Sequence, residues 1–269
     1  VMSLSLVGVS PILWSNDDLP ELGGDTPLER CLSEARRCGY DGIELGHKFP
    51  RDPARLASVL REHHLMLTSG WFGTRLLSSS VEQEVARMEP LLSLLEQVEC
   101  GMVVAAEVTG SVHRERAIPV SKRPLLHPEG LKLFGESLTL LADALRTRGF
   151  RLSYHHHMGT VIESEEDVDA LVAQTGPAVG LTIDTGHALF AGFDPRRIVE
   201  RHGARVTHVH LKEVRAATLQ ASESSFLDAV VDGVFTVPGD GSYDFPAFLA
   251  GLAAVDYQGW LIVEADQDP

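Results

Sequence analysis

The chain has 269 residues, 44% of them hydrophobic, which is enough to bury one large core. Its 23 Lys and Arg face 38 Asp and Glu, a formal charge of −15 that repels phosphate backbones and anionic lipid heads, so neither a nucleic acid nor a membrane surface is the expected partner. No apolar run approaches the roughly 20 residues of a membrane span, and Leu4 to Leu13 has neither a basic leader nor a cleavage signal, so it reads as a strand. The three cysteines, Cys31, Cys38 and Cys100, share no metal-binding spacing and fit buried thiols of a reducing, cytoplasmic setting.

From there, strand-like and helix-like segments alternate. Leu4–Ser10 is followed by helical periodicity over Thr26–Cys38, Asp41–Leu45 by Pro53–His63, Leu65–Gly70 by Val81–Val98, and Met102–Val108 by Pro128–Arg148. Arg151–His157 then precedes Glu163–Gln174, Val179–Ile183 precedes Pro195–His202, and Val206–Leu211 precedes a weaker helix near Ser222–Val231. Phe245–Val255 leads into Trp260–Glu264. Eight strands joined by helices predict parallel βαβ units closed into a (β/α)8 barrel, one domain over residues 1–269. The sequence ends five residues after Glu264, so no eighth outer helix is expected within it. Thr26-Pro27 and Asp194-Pro195 predict capped helix starts, and Gly39 and Gly149 predict helix stops.

Four strands of the second half end in metal-type donors: His155-His156-His157, Asp184, His208-Val209-His210 and Glu264. One strand-end Asp can simply cap the next helix, and one buried His can simply bond to backbone. Four on successive parallel strands converge on the barrel rim and predict an open divalent-metal site. The mixed N/O set suits Mn²⁺, Co²⁺, Fe²⁺ or Zn²⁺, with Mn²⁺ favoured by carboxylates. The first half adds rim candidates: Glu44 and nearby Lys48, Trp71 with Arg75, Glu107, and Trp14 with Asn16-Asp17-Asp18. The two tryptophans either stack on a ligand ring or cover the core. The Glu163–Asp169 acidic cluster reads as a solvated helix start.

The four donor segments resemble the xylose isomerase-like TIM barrel superfamily, whose metal ligands sit on strands five to eight. The strings Trp14–Pro20, Gly42–Pro50, Ala106–Gly110 and Tyr154–Thr160 further resemble inosose dehydratases. The resemblance spans the chain and implies a lyase that removes water from 2-keto-myo-inositol to give a trihydroxycyclohexane dione, with Mn²⁺ or Co²⁺ as cofactor and a small polyol ketone as partner; assembly into a homo-oligomer stays open. It implies His155, Asp184, His210 and Glu264 as metal ligands, and Lys48, His157 and Glu44 as proton carriers. Trp14, Trp71, Arg75, Glu107, His187, His208 and Lys212 would bind the ring hydroxyls. Sugar epimerases of the superfamily carry a glutamate where this chain has His155, and loss of one opposed base argues for elimination over epimerisation. A ketose epimerase is the competing enzyme reading, and a metal-free sugar-binding barrel the non-catalytic one.

Overall fold

A computed structural model describes residues 6–219 and 224–269; residues 4–5 of the expected first strand and 222–223 of the expected weak helix lie outside that range. The strands are β1 (Val7–Val9), β2 (Gly42–Ile43), β3 (Met66–Leu67), β4 (Gly70–Thr74), β5 (Met102–Glu107), β6 (Arg151–His155), β7 (Val179–Asp184), β8 (Val206–Leu211), β9 (Glu213–Val214), β10 (Phe235–Thr236) and β11 (Leu261–Val263). The α-helices are α1 (Leu28–Arg37), α2 (Pro53–Glu62), α3 (Val81–Gln97), α4 (Pro128–Thr147), α5 (Glu165–Gln174), α6 (Thr185–Phe190), α7 (Pro195–His202), α8 (Phe226–Val231) and α9 (Phe245–Ala254).

The main sheet runs β3-β2-β1-β11-β8-β7-β6-β5-β4. Its two end members are halves of one run, separated only by Thr68-Ser69, so the sheet closes on itself as an eight-staved parallel barrel. Thr68 N–H donates to Ile43 O at 3.0 Å and Leu45 N–H to Ser69 O at 3.1 Å, which carries the pairing across the break. The expected strand stopped at Gly70; the aromatic and β-branched residues to Thr74 extend it along β5. Among the described residues, none after β11 is helical.

Strands β5 and β7 are buried almost end to end, because the barrel interior covers one face and the helices the other. The long outer helices turn one stripe inward at a spacing of three or four, such as Phe134, Leu138, Leu141 and Leu145 on α4. Burying one such leucine stabilises by about 1.5–3 kcal/mol. Asp194 caps α7 as expected, and Gly39 and Gly149 follow their helices at φ +90 and +85. Thr26 does not cap α1, whose N-cap is Pro27; its carbonyl accepts from Lys48 instead. The Glu163–Asp169 stretch is ion-paired rather than simply solvated: Glu165 and Asp169 meet Arg201, and Asp167 meets Arg123. No described helix is long and apolar enough to cross a membrane.

Candidate metal centre and its cavity

Strand ends bring the expected donors together. His155 closes β6, Asp184 closes β7, His210 lies directly opposite Asp184 on β8, and Glu264 follows β11. Asp184 divides its two oxygens. Oδ1 accepts the His187 N–H at 2.8 Å and caps α6, which leaves Oδ2 facing His155 Nε2 at 3.5 Å and His210 Nδ1 at 3.4 Å. Ligand atoms of His155, Asp184 and His210 lie within 4.8 Å of one another. All three residues are buried, and among the described residues Asp184 Oδ2 accepts no hydrogen bond. A buried carboxylate oxygen left so costs stability unless positive charge or a ligand satisfies it. A divalent cation among these N and O donors does so, and the set fits one.

Glu264 stands beside this trio. Its Oε2 is 3.0 Å from His210 Nδ1 and its Oε1 is 2.6 Å from Lys212 Nζ. Burial pushes Glu264 up to about 7 against the pull of His210 and Lys212. Burial opposes protonation of His210, but Glu264, Glu44 and Asp184 outweigh it and hold the ring well above the usual histidine range.

Glu44, expected as a proton carrier, is committed to other residues. Its Oε1 takes His208 Nε2 at 2.9 Å, His210 Nε2 at 3.1 Å and the Ser69 hydroxyl at 2.7 Å. Burial alone would raise this carboxyl, yet His210 and His208 hold it well below the usual range. Glu44 therefore orients His210 and fixes which ring nitrogen faces inward. His208, expected to bind substrate, is fully buried behind Glu44 and does not line the cavity.

Lys212 was also expected to contact ring hydroxyls. It is instead wholly buried, with its ammonium 2.5 Å from Asp266, 2.6 Å from Glu264 and 3.3 Å from Asp184. Burial disfavours its charge, but these three carboxylates hold Lys212 well above its ordinary value. Its stem runs across Gly186, where a Cβ would sit 2.4 Å from Lys212 Cγ. Asp266 has no assignment from the sequence; its signal was the two-residue spacing from Glu264.

The cavity above the metal-type donors encloses about 740 Å³ including its open mouth. Its wall includes Trp71, Arg114, Asp18, His157, His187 and Asp266. Trp71 is at the mouth as expected, with the Arg114 guanidinium 5.9 Å from its ring and Asp18 2.7 Å from Arg114. His157 and His187 lie with ring centroids 4.0 Å apart and planes tilted by 42°, and burial drives both imidazoles well below the usual range, so they are neutral.

Four expected site residues lie elsewhere. Lys48 donates to the carbonyls of Gly23, Gly24 and Thr26 at 2.8, 2.9 and 2.5 Å and lines a separate crevice. Five residues past the end of β2, Lys48 reaches the carbonyls of a loop and not the barrel axis. Trp14 packs on the core and donates to Glu34 at 2.6 Å. Arg75 is exposed away from the cavity. Glu107 is fully buried, accepting from Thr74 Oγ1, Leu76 N–H and Thr109 N–H at 2.9, 2.8 and 3.0 Å, and ties the ends of β4 and β5 together.

A family model described as xylose isomerase-like TIM barrel matches residues 32–269. The chain is 48% identical over 266 residues to the rhizopine catabolism protein MocC of Rhizobium meliloti, covering 98% of this chain and 82% of that protein. It is 39% identical over 268 residues to an inosose dehydratase of Geobacillus thermodenitrificans, covering 98% and 90%. A solved structure of the IOLI protein with a binding zinc atom aligns over 97% of this chain and 89% of that one with a TM-score of 0.70 and 16% identity, a likeness of fold.

Proposed function

The chain belongs to the xylose isomerase-like TIM barrel family, and from that footing we propose that it is a metal-dependent hydro-lyase that dehydrates 2-keto-myo-inositol to a trihydroxycyclohexane dione. Full-length similarity to inosose dehydratases supports the substrate class. The observation that carries the reaction type is the donor set itself. A histidine, His155, closes β6, and Glu264 stands beside the metal-type donors, so His157 is the base left free of them. Epimerisation removes a proton from one face of a carbon and returns it on the other, which takes two opposed bases. Elimination takes one.

His155, Asp184, His210 and Glu264 would hold the ion, and we favour Mn²⁺ or Co²⁺ for this mixed set. When bound, the ion supplies Lewis-acid polarisation of a ketone oxygen. The rest falls to the protein. Glu44 holds the His210 ring with Nδ1 inward. Lys212 holds Asp184 ionised and, anchored by Asp266, keeps Glu264 in place. Trp71 offers a flat apolar face to a six-membered ring at the mouth. His157 is the neutral imidazole positioned to take the proton α to the ketone. The C–H electron pair becomes the C=C bond, the β C–O bond breaks, and the oxygen leaves as water with the proton His157 took. The enol then tautomerises to the dione.

Three unpaired thiols fit a cytoplasmic enzyme. The test is an assay of Mn²⁺-loaded and chelator-stripped protein on inosose, following dione absorbance, with rhizopine as a second substrate because of the MocC similarity. Metal-dependent dione formation supports the proposal. A loaded protein inert toward inosose overturns it.

A further inference from the structure

We propose that the main chain of Met158 imposes opposite tautomers on His157 and His187, so that the cavity wall presents a bare ring nitrogen beside a ring N–H. The inference rests on the dehydratase reading for its use, and on geometry alone for its content.

A peptide unit has fixed polarity, and a neutral imidazole carries one ring proton. A backbone N–H can donate and cannot accept. Met158 N–H lies 3.2 Å from His187 Nδ1, so that nitrogen is the acceptor and the proton of neutral His187 sits on Nε2. A carbonyl can accept and cannot donate. Met158 O lies 2.9 Å from His157 Nδ1, so Nδ1 carries the proton and Nε2 is bare. One residue thus writes two different answers on two imidazoles whose centroids are 4.0 Å apart.

The peptide cannot easily turn to reverse this. Met158 is 2% exposed. Gly159, with φ +75, follows it, and a Cβ there would lie 2.8 Å from His113 N. Gly159 N–H donates to Glu163 at 2.7 Å, His157 N–H to Ile162 O at 3.0 Å, and the Thr160 hydroxyl to His157 O at 2.8 Å. Phe226 packs on both rings, with centroids at 5.2 and 5.4 Å.

Two consequences follow for a polyol ketone in the cavity. His157 Nε2 accepts, which suits a base at the carbon beside the ketone. His187 Nε2–H donates, which suits an oxygen on the neighbouring carbon and orients it without giving up its proton. His187 is also removed from the metal ligands despite lying 4.0 Å from Asp184 Oδ2, because the nitrogen that faces the site is protonated. Met158 is a positioning residue, acting wholly through its backbone.

The test is long-range ¹H–¹⁵N correlation NMR of histidine-labelled protein, metal-free and loaded with diamagnetic Zn²⁺. His157→Gln and His187→Gln variants assign the two rings. The expected result is Nδ1–H on His157 and Nε2–H on His187 in both states. The same tautomer on both rings, or the reverse pair, overturns the inference. Turnover adds a split that a merely structural role would not produce. His187→Gln keeps an N–H donor and should retain measurable dehydration, whereas His157→Gln has no basic nitrogen and should lose about 10²-fold or more. Equal losses in the two variants count against the assignment. Because NMR reads the tautomers without turnover, a protein with the expected tautomers and no activity on inosose refutes the function and leaves this inference standing.

Discussion

His210 meets Glu44 through Nε2 at 3.1 Å, and that contact turns Nδ1 toward Asp184 and Glu264, at 3.4 and 3.0 Å. The residues are far apart in sequence, on β8 and just after β2, and the barrel brings them together across its axis. Glu44→Gln should weaken metal binding by about 10–100-fold, the usual effect of losing a carboxylate behind a ligand histidine. Chelator competition measures it. Unchanged affinity in a folded Glu44→Gln protein would remove Glu44 from this role.

The contact between His210 and Glu264 predicts a linked proton. Burial holds Glu264 up to about 7, and the surrounding carboxylates hold His210 above its ordinary range, so at neutral pH the pair carries a proton that metal must displace. The protonated form blocks the ligands, and raising pH removes it. Metal affinity should therefore increase with pH, approaching roughly tenfold per unit while one proton is released. Calorimetry in buffers of different ionisation enthalpy reports the proton count. Zero protons released between pH 6 and 7.5 would contradict this picture.

Lys48 should matter for stability rather than turnover. Its ammonium gathers three carbonyls of the 23–26 loop. Lys48→Ala should cost about 1–3 kcal/mol of unfolding free energy and leave turnover of the folded protein within about twofold, far short of the roughly 10²-fold loss of a general acid. Denaturant titration beside a steady-state assay decides between the two roles.

The sequence made the barrel legible because strands buried on both faces are apolar runs, and each metal-type donor closes such a run. Val206–Leu211 was delimited correctly for that reason, and Pro195–His202 by the Asp194-Pro195 cap at its start. Helix α6 went unseen because Asp184 caps it immediately, with no polar loop between strand and helix. The β9–β10 pair has two residues per strand, too few for any period to show. Side-chain direction was the other gap. Lys48 and Lys212 both follow strand ends, yet one reaches outward to a loop and the other lies fully buried among carboxylates. Spacing alone carries no information on which carbonyls or carboxylates a long side chain will find.

Lys212 is the positive charge that lets Asp184, Glu264 and Asp266 crowd together. Lys212→Met leaves them buried without compensation and should destabilise the metal-free protein by about 3–5 kcal/mol. Divalent metal supplies positive charge at two of those carboxylates, so Mn²⁺ should raise the melting temperature of Lys212→Met more than that of the unmodified protein. Equal metal-induced shifts would show that the lysine and the ion do not share this task.

The dehydratase reading stands or falls on one comparison made with a single Mn²⁺-loaded preparation. It is kcat/KM for dione formation from inosose against kcat/KM for exchange of the C3 configuration of fructose and tagatose. With His155 bound through its lone pair to metal and Glu264 held as a ligand, His157 is the one base left free of the ion, so dehydration should dominate and C3 exchange should be marginal. Faster C3 exchange than dehydration would contradict the account and make the protein a ketose epimerase.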